Sequence, residues 1–274
     1  MSPHVVVFSH RRSGTHLTID AIRNNFPTYR APFVNMDCLQ GDELLEETLE
    51  TFRSDLESAS RVVKSHASAS LQTHFMDEDV LGTVRDATRK AKIVYVYRDG
   101  RDVMASLYHY VRNVKPELKG TSFHDFLRMK DPIDVRRAHS DLNNVEYWKF
   151  HVSSWLKRGG LLPVSFESLL ENYNVQIERL STFLELPAPR NIRSVVRVDT
   201  KARTYSSAWV RRRERTTKLW NKIVLGRDLT SVNFREGRAG AYKEMFSRSD
   251  LEYFDRIASS LMDELGYTTG SPRI

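Results

Sequence analysis

The stretch Val5-Val6-Val7-Phe8-Ser9-His10-Arg11-Arg12-Ser13-Gly14-Thr15-His16-Leu17 constrains the fold more than any other part of the chain. Its apolar, β-branched start reads as a buried strand. The strand breaks into a loop of small and basic residues, and a helical pattern then runs through Ile22. Strand, loop and helix N-terminus in that order converge backbone N–H groups and the positive end of the helix dipole on one point. Arg12 adds a full charge there. The unit predicts an anion site, suited to phosphate or sulfate, at the carboxyl end of the first strand.

Further short apolar patterns at 61–64, 93–97 and 162–166 join the one at 5–8. They alternate with helical patterns at 43–58, 103–112, 145–157, 169–186 and 250–265. The alternation predicts an α/β fold with a central parallel β-sheet flanked by helices. No linker rich in Pro, Gly or Ser divides residues 1–274, so one domain is expected. Glu43, Glu46, Glu47 and Glu50 read as a solvated helix face and not as metal ligands. Trp148, His151 and Trp155 share helical spacing and read as core.

The chain carries 30 Arg and 12 Lys and a formal charge of +7, which suits an anionic ligand gripped by planar guanidinium forks. Helix-turn-helix, zinc-finger and RNA-binding aromatic motifs are missing, which argues against nucleic acid as the partner. No apolar run approaches the roughly 20 residues of a membrane helix, so no membrane partner is expected. Arg11 and Arg12 interrupt the N-terminal apolar run too early for a signal peptide. Cys38 is the only cysteine, which fits a reducing compartment and excludes an internal disulfide. A cytoplasmic protein is the expectation.

Each of the first three strand patterns ends in polar or charged groups. After the first comes Arg12-Ser13-Gly14-Thr15. The second ends in Lys64-Ser65-His66, and the third in Tyr97-Arg98-Asp99-Gly100-Arg101-Asp102, with Ser106 on the helix that follows. Strand carboxyl ends of an open parallel sheet share one edge, so these groups should face a common crevice. His66, whose ordinary imidazole titrates near neutrality, suits a catalytic base, with His10 and His16 as competitors. The loop is not a P-loop: Thr15 and His16 stand where that motif needs Lys and Ser or Thr.

In sequence order these motifs resemble the sulfotransferases that use 3′-phosphoadenosine-5′-phosphosulfate (PAPS). Arg11 through Leu17 matches the family's Pro-Lys-Ser-Gly-Thr-Thr-Trp loop, and Lys64-Ser65-His66 its Lys-Thr-His. Arg98 through Ser106 matches Arg-Asn-Pro-Lys-Asp with its later serine. Arg235-Glu236-Gly237-Arg238-Ala239-Gly240-Ala241-Tyr242-Lys243 resembles Arg-Lys-Gly-x-x-Gly-Asp-Trp-Lys. Tyr147 through Trp155 resembles the helix before the fourth strand. Two departures stand out. Leu17 replaces the tryptophan that stacks on adenine, and Arg12 replaces the loop lysine, as in the Arg-Ser-Gly form of glycan sulfotransferases.

The resemblance implies a three-layer, P-loop-like fold and transfer of a sulfuryl group from PAPS to a hydroxyl or amine, releasing PAP. Arg11, Arg12, Ser13, Gly14, Thr15 and His16 would form the cofactor loop, with backbone N–H groups of Ser13, Gly14 and Thr15 on the 5′-phosphate. Arg98, Ser106 and Arg235 would hold the 3′-phosphate, with Gly237 letting the backbone approach. His66 would be the base, and Arg12 and Lys64 would neutralise developing charge without a metal. The acceptor is expected to be a small molecule, anionic or glycan character staying open, as does a homodimer. The segment 113–144 would form much of the acceptor side or a lid. The rival readings are a kinase-like enzyme, weakened by the missing P-loop lysine, and a nucleotide-binding protein without catalysis.

Overall fold

Five parallel strands carry the architecture: β1 (Val5–Ser9), β2 (Val34–Asn35), β3 (Val62–Ser65), β4 (Lys92–Tyr97) and β5 (Leu161–Ser165), in the order β2-β3-β1-β4-β5. They belong to a computed structural model in which residues 2–40, 46–130, 141–194 and 239–267 are described. The register sets Phe8 beside Ser65 and Ser9 beside Val96, so β1, β3 and β4 finish along one edge. The chain adds strands on one side of β1 and then crosses to the other, which makes β1 the switch point where such sheets bind ligands.

The helices are α1 (Thr15–Asn25), α2 (Glu46–Ser58), α3 (Glu78–Arg89), α4 (Gly100–Val114), α5 (Phe123–Arg128), α6 (Asn144–Leu156), α7 (Phe166–Glu171), α8 (Tyr173–Leu184) and α9 (Arg248–Glu264). Period-two alternation divides the strand side chains between two cores. Val5, Val7, Val62, Val94 and Val96 pack with α1, α7 and α8, through Ile19, Ile22, Leu169, Ile177 and Leu180. Val6, Phe8, Val63 and Tyr95 pack with α2, α3, α4, α6 and α9, where Trp148, Trp155 and Phe254 are fully buried. Helices cover both faces, giving the three layers that the resemblance implies.

The four expected strands are present within a residue of their expected limits. β2 and α3 were not expected. β2 is a two-residue edge strand held by pairing with β3, and so short a strand leaves no periodic signal. α3 buries Val80, Leu81 and Val84 behind an N-cap made by Asp77. The continuous helix expected at 169–186 is two helices, because Asn172 leaves helical geometry with φ −127° and ψ 44°. Within 113–144 the described part contains α5, capped by the Ser122 side chain and packed on α4 through Tyr108 and Phe126.

Candidate active site

The candidate anion loop is built by backbone conformation. Arg12 and Gly14 both take positive φ, 69° and 96°. Gly14 is the N-cap of α1, where no side chain accepts the first-turn N–H groups and no acidic residue sits in the first turn. The helix therefore presents its positive end uncompensated. A Cβ on Gly14 would stand 2.6 Å from Cδ2 of Phe166, so conformation and space both require glycine. Ser13 Oγ is buried without a hydrogen-bond partner among the described residues, as a cradle awaiting an anion would leave it. Thr15 closes the loop on the strand through a 2.5 Å contact between its hydroxyl and that of Ser9.

Arg12 points from this loop to α4: its Nε donates to Ser106 Oγ at 3.0 Å, and its guanidinium lies 5.2 Å from the Tyr110 ring centre. Arg98 stacks on Phe166 at 4.4 Å, donates to the Arg12 carbonyl at 3.4 Å and lies 3.5 Å from Asp102. Arg12, Ser106 and Arg98 thus meet beside the loop. Asp102 also accepts from the backbone N–H of Gly240 at 2.7 Å and of Tyr242 at 2.9 Å. The last part of the C-terminal motif is thereby tied to the start of α4. Arg235 and Gly237 lie outside the described residues, as do the Arg211-Arg212-Arg213-Glu214-Arg215 run and residues 131–140.

His66 follows β3 and is held at three points. Its Nδ1 lies 2.9 Å from the Ser9 carbonyl, its backbone N–H donates to Asp37 Oδ1 at 2.9 Å, and its carbonyl lies 3.1 Å from His151 Nε2. A carbonyl only accepts, so Nδ1 of His66 carries the proton and Nε2 keeps its lone pair. Burial pushes the His66 pKa well below the usual 6.5, with the Lys64 ammonium and then Arg11 pushing the same way and Asp37 opposing them. The sequence alone gives an ordinary imidazole titrating near neutrality. Its surroundings make it neutral over a wider range.

Lys64 reaches Asp37 Oδ2 at 2.7 Å and Asn35 Oδ1 at 3.3 Å, so its charge is already matched by a carboxylate. His10 Nδ1 donates to the Arg11 carbonyl at 2.9 Å, with its ring against Tyr147 and His151. His16 packs edge-on to Phe33 at 5.6 Å. The three residues read as core behave as core and do more: Trp155 donates to the Ala67 carbonyl at 2.9 Å, so α6 clamps the backbone at 66–67. Asp37 escaped the sequence reading. It follows the two-residue Val34–Asn35 strand, which leaves no signal in the sequence, so nothing local marks it. Among the described residues no group of three or more His, Cys, Asp or Glu side chains gathers as a metal site. Nor is any described helix long and apolar enough to cross a membrane.

A central parallel sheet with helices on both faces, and a glycine-bearing loop between β1 and α1, define a P-loop-like α/β protein. Residues 2–266 match the sulfotransferase domain family, and the chain belongs to it. Sulfotransferase 1A1 of Mus musculus is 24% identical over 248 residues, 88% of this chain and 75% of its own. Sulfotransferase 2B1 of Homo sapiens is 28% identical over 171 residues, 61% of this chain and 43% of its own. The 3-beta-hydroxysteroid sulfotransferase of Cavia porcellus is 27% identical over 182 residues, 63% of this chain and 56% of its own. The matches therefore span about half the length of those last two relatives. Mouse sulfotransferase SULT7A1 complexed with PAP shares the fold at TM-score 0.57 and 20% identity, over 97% of this chain and 86% of its own. Retinol dehydratase in complex with retinol and PAP does so at 0.55 and 20%, over 96% and 82%.

Proposed function

We propose that this chain transfers the sulfuryl group of PAPS to a hydroxyl or amine of a small-molecule acceptor and releases PAP. The observation that carries the reading is the pairing of two devices on one sheet edge. One is an uncapped, glycine-built anion loop bearing Arg12; the other is a neutral histidine whose Nδ1 is fixed, leaving Nε2 as acceptor. The acceptor class follows a relative named for a steroid and a neighbour complexed with retinol, both small hydroxylated molecules. The single cysteine fits work in the cytoplasm.

PAPS supplies an activated sulfuryl group on its 5′-phosphate. Backbone N–H groups of Gly14 and Thr15 hold that phosphate at the head of α1, the Ser13 N–H being engaged with the His10 carbonyl at 3.3 Å, and Arg12 neutralises charge as the bond to sulfur breaks. Arg98 and Ser106 hold the 3′-phosphate, with Arg235 and Gly237 completing that site as the motif implies. His66 Nε2 takes the acceptor's proton as its oxygen or nitrogen attacks, a contribution of about 10²–10⁴-fold. Lys64 acts from within its 2.7 Å pair with Asp37. No step requires a metal ion, because guanidinium groups do the work that Mg²⁺ does in kinases.

The test is His66→Ala. Turnover should fall by at least the general-base contribution of about 10²-fold. PAP affinity should be nearly unchanged, because the base touches the acceptor and not the nucleotide. Near-normal turnover would place the base elsewhere, with His10 or His16 next in line.

A further inference from the structure

Asp37 stands at the turn after β2, and the topology explains why it faces the site. Asn35 pairs with Lys64 across the β2–β3 ladder, and its side chain accepts from the Asp37 N–H at 3.3 Å, which starts the 3-10 turn Met36–Leu39. That turn swings the carboxylate back over the end of β3. Its Oδ2 accepts from Lys64 at 2.7 Å; its Oδ1 accepts from Ser65 Oγ at 2.8 Å and from the His66 N–H at 2.9 Å, with His74 Nε2 3.5 Å away. Three consecutive residues of β3 and its end are thus gathered by one side chain from a neighbouring strand.

We propose that Asp37 is a positioning residue for the transfer, fixing the backbone of His66 and balancing the Lys64 ammonium beside it. The proposal rests on the reading of His66 as the base. Asp37 is itself a poor base. Burial alone would raise its pKa, but Lys64 and the neighbouring His74 ring, 3.5 Å away, outweigh it and hold the carboxyl well below 3.8. Its oxygens are moreover occupied by donors. Its influence runs through charge: Lys64 disfavours a protonated His66, and Asp37 opposes that. The other groups facing His66 are Arg11 from the loop after β1, the Ser9 carbonyl and hydroxyl, and His151 of α6 at its carbonyl. Removing only the carboxylate's charge would leave the ammonium unbalanced in a largely buried position, where an uncompensated charge acts strongly on its neighbours.

Asp37→Asn separates position from charge, because the amide oxygen can still accept from Ser65 and from the His66 N–H. The full chain, labelled with ¹⁵N at histidine, would be titrated by NMR to read the His66 midpoint directly, beside the pH profile of kcat and the affinity for PAP. The His66 midpoint and the acid limb of kcat should both move to lower pH. At neutral pH kcat should fall only slightly, since the amide keeps the backbone of His66 in place and His66 is neutral in both proteins. PAP affinity should change little. A midpoint that stays or rises would overturn the proposal.

Lys64→Met and Lys64→Met/Asp37→Asn provide a second comparison in which no ammonium is left unpaired. The double variant should titrate His66 below the single one, and equal midpoints would overturn the proposal even if Asp37→Asn alone fails to fold. The two readings separate cleanly. Turnover that survives His66→Ala removes the base assignment, whereas loss of turnover in His66→Ala with an unmoved midpoint in Asp37→Asn removes only the role of Asp37.

Discussion

Replacing Gly14 by alanine should damage stability and the anion loop together, and the structure sets the size of the effect. Gly14 holds φ 96°, in the left-handed region, where an L side chain costs roughly 1–2 kcal/mol. The added Cβ would also stand 2.6 Å from Cδ2 of Phe166, a rigid ring only 6% exposed that carries the Arg98 guanidinium at 4.4 Å. Relieving such a clash in a packed site costs a further ~1–3 kcal/mol. The sum is ~2–5 kcal/mol. With about 2–4 °C lost per kcal/mol for a chain of this size, Tm should fall by roughly 4 °C or more. Urea unfolding followed by circular dichroism, beside calorimetric PAP binding, would read both consequences. Gly14→Ala/Phe166→Leu should recover the steric share and leave the backbone share. A Gly14→Ala protein within about 0.5 kcal/mol of the wild type, the range of an ordinary surface change, would refute the reasoning.

Three further outcomes follow from the same geometry. A base whose pKa is lowered stays neutral until the pH falls through that lowered value, so the acid limb of kcat should lie below pH 6.5. The unfolded chain takes up a proton there that the folded chain refuses, so stability should also decline as the pH falls below 6.5; a limb at or above that value would contradict the placement of His66. PAP should bind at least tenfold more tightly than AMP, since each charge-assisted contact to the 3′-phosphate contributes roughly 1.5–3 kcal/mol, and equal affinities by calorimetry would defeat the role of Arg98 and Ser106. Activity should persist in excess EDTA, whereas loss on chelation that a divalent ion restores would revive a kinase-like mechanism.

What the sequence discloses here is what neighbouring residues settle among themselves. β1, the anion loop and the start of α1 are contiguous, so their apolar run, glycine and basic residues are legible together. β3 and β4 are equally legible, each an apolar run ending in polar residues. β2 is two residues long and exists through its ladder with β3, so no periodicity announces it. α3 differs: its stripe of Val80, Leu81, Val84 and Ala87 and its Asp77 cap both stand in the sequence as helix signals. The environment of His66 was illegible for the same reason as β2. Its partners Ser9, Asp37 and His151 lie 57, 29 and 85 residues away, and only the sheet order brings them together. The ordinary imidazole expected from sequence becomes a depressed one through burial and Lys64, effects that no local motif encodes.

Transfer of radiolabelled sulfur from PAPS tests the central claim most directly. The full chain would be incubated with the labelled donor and a panel of phenols, alcohols, amines and sugars, with PAP and labelled products quantified together. The account predicts label on at least one small hydroxyl- or amine-bearing acceptor, one PAP for each product, and loss of both in His66→Ala. Label that remains on PAPS across the panel, or transfer undiminished in His66→Ala, would contradict it.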